Sequence, residues 1–205
     1  MKYILIIGLL LSIVSCDTKY NYDDTGLAKG HFDGNMYEYF CSHPSNWDSL
    51  RMMIDKAGLQ DLFEGKRAGY EKITFFGPVN YTLIRWMIAN EYTSIDELDP
   101  AVCEEIVMRH VVKGVYMRDD IPRGKQSDAG TGIGVGGITF NGESEHPIWI
   151  YSYQMSHQGV PGVGAVLLFI ASPMTGNNVD VASTNIESDN GVVHSLSNSY
   201  SIGEF

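Results

Sequence analysis

Basic residues are scarce. Only 14 Lys and Arg face 25 Asp and Glu across 205 residues, a formal net charge of −11. Nucleic-acid phosphates find no cationic face to bind on such a chain, so nucleic acid is excluded as a partner. Anionic headgroups are repelled for the same reason, so a membrane contact must come from something other than charge. Cysteine is nearly absent, at positions 16, 41 and 103, and no two have the CxxC spacing of a zinc or redox site. The six His, at 31, 43, 110, 146, 157 and 194, include no i, i+4 pair of the kind a helical zinc site uses. There is no GxSxG nucleophile elbow, no internal repeat and no apolar run of the roughly 20 residues that span a bilayer. A charged fraction of 19% with a hydrophobic fraction of 44% excludes both an acidic disordered tail and a membrane bundle. What is left is one acidic domain with no expected cofactor or metal.

The longest apolar run, Tyr3 to Val14, follows a single charge at Lys2. A positive residue and a short apolar stretch read as a secretory leader. Ile13, Val14 and Ser15 stand directly before Cys16, which resembles a bacterial lipobox. That resemblance implies a diacylglyceryl group on the Cys16 thiol and cleavage just before it, with residues 1–15 as the leader. The mature chain would lose Lys2 and no acid, leaving 13 minus 25, or −12. Buried acyl methylenes contribute about 0.8 kcal/mol each, enough to hold an acidic protein at a membrane its surface cannot bind. Residues 16–30 are polar, contain Gly and lack apolar periodicity, the composition of a tether. A bridge between Cys41 and Cys103 stays open, since an exported compartment permits it and spacing does not decide it.

Residues 31–205 form the folded part. Ser45 with Asp48 has the capping-box spacing, and Trp47, Leu50, Ile54 and Ala57 follow at helical intervals up to Gly58. ITFF at 73–76 is a strand halted by Gly77-Pro78, and 81–90 is a second helix. Ser94 and Glu97 start a short helix. Asp99-Pro100 starts another, whose stripe is Val102, Cys103, Ile106, Val107 and His110. Strands then dominate: 138–140 before an Asn141-Gly142 hairpin turn, 147–155, 165–173, 179–186 and 191–196. Helices early and strands late predict an α+β fold.

Motifs of reaction chemistry are weak. GIGVGG at 132–137 satisfies GxGxxG without the strand before it or the helix after it, and reads as a loop. Glu104, Glu105, Asp119 and Asp120 read as solvated acids. His110 and His194 sit in apolar stripes, where a hydrogen-bonded core ring is the expected role. In WIYSY, strand alternation puts Trp149, Tyr151 and Tyr153 on one face and Ile148 and Ile150 on the other. An Ile face in the core would leave an aromatic ledge partly exposed for stacking on sugar rings. Core packing of that face is the alternative.

Five blocks in order resemble a fasciclin domain: 47–63, 73–80, 104–121, 138–142 and 179–196. Phe75, Phe76, Pro78 and Asn80 carry one, His110 another, and Asn190, Gly191, Val192, Val193 and His194 the last. The resemblance implies a single β-wedge with helices packed on one side, and His110 bonded to Asn80 or nearby backbone. Arg109 stands where the family has the Tyr of its Tyr-His element, linked to adhesion in animal members, so an integrin-type role is not implied. The tail NSYSIGEF resembles fasciclin-containing lipoproteins of Bacteroidetes-type bacteria. The expected function is a non-enzymatic adhesion or binding lipoprotein at the outer membrane or cell surface, with an extracellular protein or glycan ligand. The alternatives are a glycan-capture accessory of a polysaccharide uptake system, using Trp149, Tyr151 and Tyr153, and a hydrolase with its site in 143–178.

Overall fold

The computed structural model describes residues 30–127, 134–141 and 146–204. The leader, Cys16 and residues 17–29 lie outside them, as do 132–133 of the GIGVGG segment and Gly142. The helices are α1 (Met36–Ser42), α2 (Pro44–Ala57), α3 (Gln60–Phe63), α4 (Asn80–Ala89) and α5 (Pro100–Met108), with a 3-10 turn at Ile95–Glu97. The strands are β1 (Ile73–Gly77), β2 (Val111–Lys113), β3 (Gly124–Lys125), β4 (Val135–Gly136), β5 (Ile138–Asn141), β6 (Pro147–Gln154), β7 (Val166–Ala171), β8 (Asn178–Ser188) and β9 (Gly191–Leu196).

Seven strands form one sheet in the order β2-β1-β9-β8-β7-β6-β5, while β3 and β4 pair separately as a short ribbon. β1 runs parallel to β9, and the other neighbours are antiparallel. The period of two in β1 sends successive Phe to opposite faces. Phe75 joins Phe40, Trp47, Phe63 and Val193 in a core beneath the helices, and Phe76 joins Ile148, Ile150, Leu168 and Leu196 in a second core. Register shifts in β8, between Val181 and Ser183 and between Ser183 and Ile186, bend the long strand. The bend lets both halves of the sheet contribute to the second core. The result is the expected α+β wedge with helices on one side.

Helix boundaries follow local chemistry with one exception. Gly58 ends α2 in the left-handed region at φ 66°, and Asp99 caps α5 through the Ala101 N–H at 2.8 Å with Pro100 in the first turn. Ser94 Oγ accepts from Asp96 N–H at 3.1 Å. The capping box expected at Ser45 and Asp48 is not formed, because α2 starts two residues earlier than that box requires, at Pro44 with His43 in the N-cap position. Asn80 serves that helix end instead: its Oδ1 accepts from Ser49 N–H at 2.8 Å, and its Nδ2 donates to the carbonyls of Pro44 and Ser45. The β5–β6 hairpin is present, but Asn141 pairs with Pro147, so five residues connect the strands rather than an Asn-Gly pair.

Candidate functional site

The two core histidines are built as struts. His110 is fully buried at the end of α5. Its Nδ1 meets the Ile106 carbonyl at 2.6 Å, so that nitrogen carries the proton, and its Nε2 accepts from the Tyr200 hydroxyl at 2.9 Å. Asn80, a partner the family resemblance allowed, does not touch it. His194 lies in β9, stacked on Phe76 with ring centroids 5.2 Å apart. Its Nε2 donates to the Tyr116 carbonyl at 2.9 Å and its Nδ1 accepts from Asn185 N–H at 3.3 Å. Burial lowers both rings from 6.5 to about 4, so both are neutral at physiological pH. With both nitrogens engaged and no access to solvent, neither ring is placed to take a proton from a substrate.

The other family-block residues also hold elements together. Asn190 Oδ1 accepts from Met36 N–H at 2.8 Å, and its Nδ2 donates to the Phe63 carbonyl at 2.9 Å, tying α1 and α3 to the β8–β9 turn. A Cβ on Gly191 would sit 1.9 Å from the Ile73 carbonyl oxygen, so the β1–β9 pairing requires glycine there. Pro78 follows Gly77, where a Cβ would meet the Trp47 ring at 2.7 Å. Tyr200, the hydroxyl partner of His110, is 90 residues away in sequence, and no spacing rule pointed to it.

The aromatic ledge is mostly covered. Trp149 and Tyr151 are 1% and 3% exposed, and Tyr153 is 44% exposed. The covered alternative holds for Trp149 and Tyr151, because the β3–β4 ribbon lies over them, and the exposed one for Tyr153. Trp149 Nε1 donates to the Gly136 carbonyl at 3.0 Å, and a Cβ on Gly137 or Gly124 would clash with Trp149 or Tyr151 within 2.6 Å. Residues 134–137 of the GIGVGG segment are therefore not a free loop. The missing side chains of Gly124 and Gly137 let backbone lie against the rings. Beneath the ribbon, Trp149 stacks on Tyr151 at 4.4 Å and Tyr151 on Phe169 at 5.1 Å.

Past the ribbon the β6–β7 hairpin is bare. Tyr153 pairs with Leu167 across the strands, and beyond them Met155, Val160 and Val163 are exposed. From residue 146 to 179 the chain contains no Asp, Glu, Lys or Arg. In the 143–178 segment the only acids are Glu143 and Glu145, which lie outside the described residues. A second exposed apolar stripe runs along α4: Tyr81, Ile84 and Ile88, the last 70% exposed. Arg85, beside it, sits over the Tyr81 ring at 5.4 Å and donates to the carbonyls of Asn198, Ser199 and Tyr200.

Among the described residues, the acids singled out in the sequence are paired or solvated. Glu104 and Glu105 are exposed, Glu105 accepting from Arg109, and Asp119 is paired with Arg118. A shallow groove of about 500 Å³ lies against α2 and the 3-10 turn. Its Arg51 is bound to Asp48 and Asp55 and its Lys56 to the Asp96 carbonyl, so its walls satisfy one another. Among the described residues no cluster of three or more His, Cys, Asp or Glu could hold a metal, and no helix is long and apolar enough to cross a membrane. Cys41 is exposed and Cys103 buried in the helical core, and both are free thiols, which closes the disulfide question.

This wedge, with its helical layer on one side and its inward histidines, defines a known class of module. The fasciclin domain model matches residues 45–199, and the chain belongs to that family, an adhesion-type fold. Among solved structures, the chain is similar to a FAS1 domain pair from the insect cell adhesion molecule fasciclin I. The likeness has 14% identity and a TM-score of 0.51, over 80% of this chain and 49% of that one, so this chain spans about half of that structure. No curated protein matches.

Proposed function

We propose that the protein is a surface lipoprotein, anchored through acyl chains on Cys16, whose fasciclin domain is a non-enzymatic adhesion module. The observation that carries the adhesion reading is the apolar stripe of Tyr81, Ile84 and Ile88. Exposed apolar patches of this kind mark protein contacts, and here the helix is held rigid beneath by Leu83 and Met87 and by Arg85 gripping the C-terminal segment. α4 follows the C-terminal end of β1, and the segment Arg85 grips follows the C-terminal end of β9, so both belong to one end of the sheet. Gly30, where the tether joins, lies beside Glu187 at the other end. An anchored domain would therefore offer α4 away from its membrane.

The glycan reading keeps one of its three aromatics in the open, Tyr153. Beads carrying residues 17–205 through the amino terminus, presented in parallel to intact bacteria and to a glycan array, separate the two. Retention of cells that is lost in Ile84→Asp/Ile88→Asp supports protein adhesion. Array binding that is lost in Tyr153→Ala would replace it with glycan capture. The anchor is tested separately: Cys16→Ser should leave the membrane fraction, and unchanged membrane association would refute lipidation.

A further inference from the structure

We infer that the tip of the β6–β7 hairpin rests on the lipid surface to which the protein is anchored. This inference depends on the Cys16 anchor proposed above.

Three observations converge on the tip. The first is composition: residues 146–179, the longest stretch without Asp, Glu, Lys or Arg in a chain of net charge −11, approach headgroups without like-charge repulsion. The second is exposure. β8 pairs with β7 only from Phe169 to Ala171, and β5 pairs with β6 only from Pro147 to Ile150, so the hairpin runs on past both neighbours. Tyr153, Met155, Val160, Val163 and Leu167 are exposed on that projecting part. A two-stranded ribbon bearing exposed apolar side chains is marginal in water and gains from a partner surface.

The third observation is position. β1, β9 and β7 run one way and β6 and β8 the other. The tip follows the C-terminal end of β6. Gly30 accepts from Glu187 N–H at the C-terminal end of β8, which is the same end of the sheet. Thirteen residues separate Cys16 from Gly30, and no chain of that length reaches beyond about 50 Å. The tether therefore joins the domain at this end and holds it within that reach of the bilayer. His31 stands between Glu187 and Asp189 at the entry point, where carboxylates disfavour anionic lipid, so the fitting surface is zwitterionic.

Residues 17–205 are the chain that cleavage before Cys16 would leave, less Cys16 itself, and are the form tested. An amino-terminal hexahistidine tag attaches this chain to phosphatidylcholine vesicles containing a nickel-chelating lipid, independently of Cys16. Hydrogen exchange is then compared between attached and free protein. Amides of 153–167 should slow by about tenfold on the vesicles, and Val160→Asp/Val163→Asp should remove the slowing. No slowing at the hairpin, or slowing at α4 instead, would overturn the inference. So would slowing that grows with protein concentration without vesicles, which would mark a contact between two copies. Loss of lipidation at Cys16 appears only in the membrane fractionation of Cys16→Ser, so the two failures are distinguishable.

Discussion

The two halves of the sheet solve burial in different ways. Around β1 and β9 both faces are packed: helices cover one, and the opposite strands close over the other through Phe76 and Leu196. Around β6 and β7 the inner face is packed by Ile148, Ile150 and Leu168, while the outer face has only a glycine ribbon over part of its length. Where the ribbon ends, apolar side chains meet solvent. The first half holds the fold, and the second has surface to spare for a partner. Family residues such as Asn80, His110, Asn190 and His194 all belong to the first task.

The largest expected effect comes from the packed half. Phe75→Ala empties a site between Phe40 and Phe63 and should cost about 3–5 kcal/mol, read by urea unfolding. A cost below 1 kcal/mol would mean that the helices are not held through β1.

Acid should act on the same half. The folded His110 and His194 sit near 4, below the ordinary 6.5, so the unfolded chain takes up protons first as pH falls. The stability is fully present above pH 6.5 and is lost progressively towards pH 4, on the order of 3 kcal/mol for each ring. A melting temperature that stays level across that window would contradict burial of the rings.

The ribbon should be weaker. Gly137→Val pushes backbone off Trp149 and should cost about 1–3 kcal/mol, with a red shift in tryptophan emission. An unshifted spectrum at equal stability would show that the ribbon does not cover the rings. The bare hairpin should be weakest: Val160→Asp should change stability by no more than about 0.5 kcal/mol. A larger loss would make the tip part of the fold and erase the contrast between the halves.

Much of this architecture was legible in sequence because it is local. The stripe of α5, the start at Asp99-Pro100, the end at Gly58 and the strand of Phe75 and Phe76 follow from spacing over a few residues. What escaped was non-local. Asn80 caps a helix more than 30 residues before it, and Tyr200 reaches His110 from 90 residues away. The cover on Trp149 and Tyr151 was hidden for another reason: glycines supply it, and a contact made by missing side chains leaves no apolar signal. Alternation placed the two rings on one face, but it could not say what lay on top.

The decisive measurement compares the two ends of the domain at a membrane. In a Cys41→Ser background, a fluorophore is placed through Val160→Cys or Ile88→Cys on chains tethered by the amino terminus to phosphatidylcholine vesicles carrying a lipid-bound quencher. The expected result is strong quenching at position 160 and little at 88, with the hairpin towards lipid and α4 towards a partner. Equal quenching at both, or stronger quenching at 88, would contradict it.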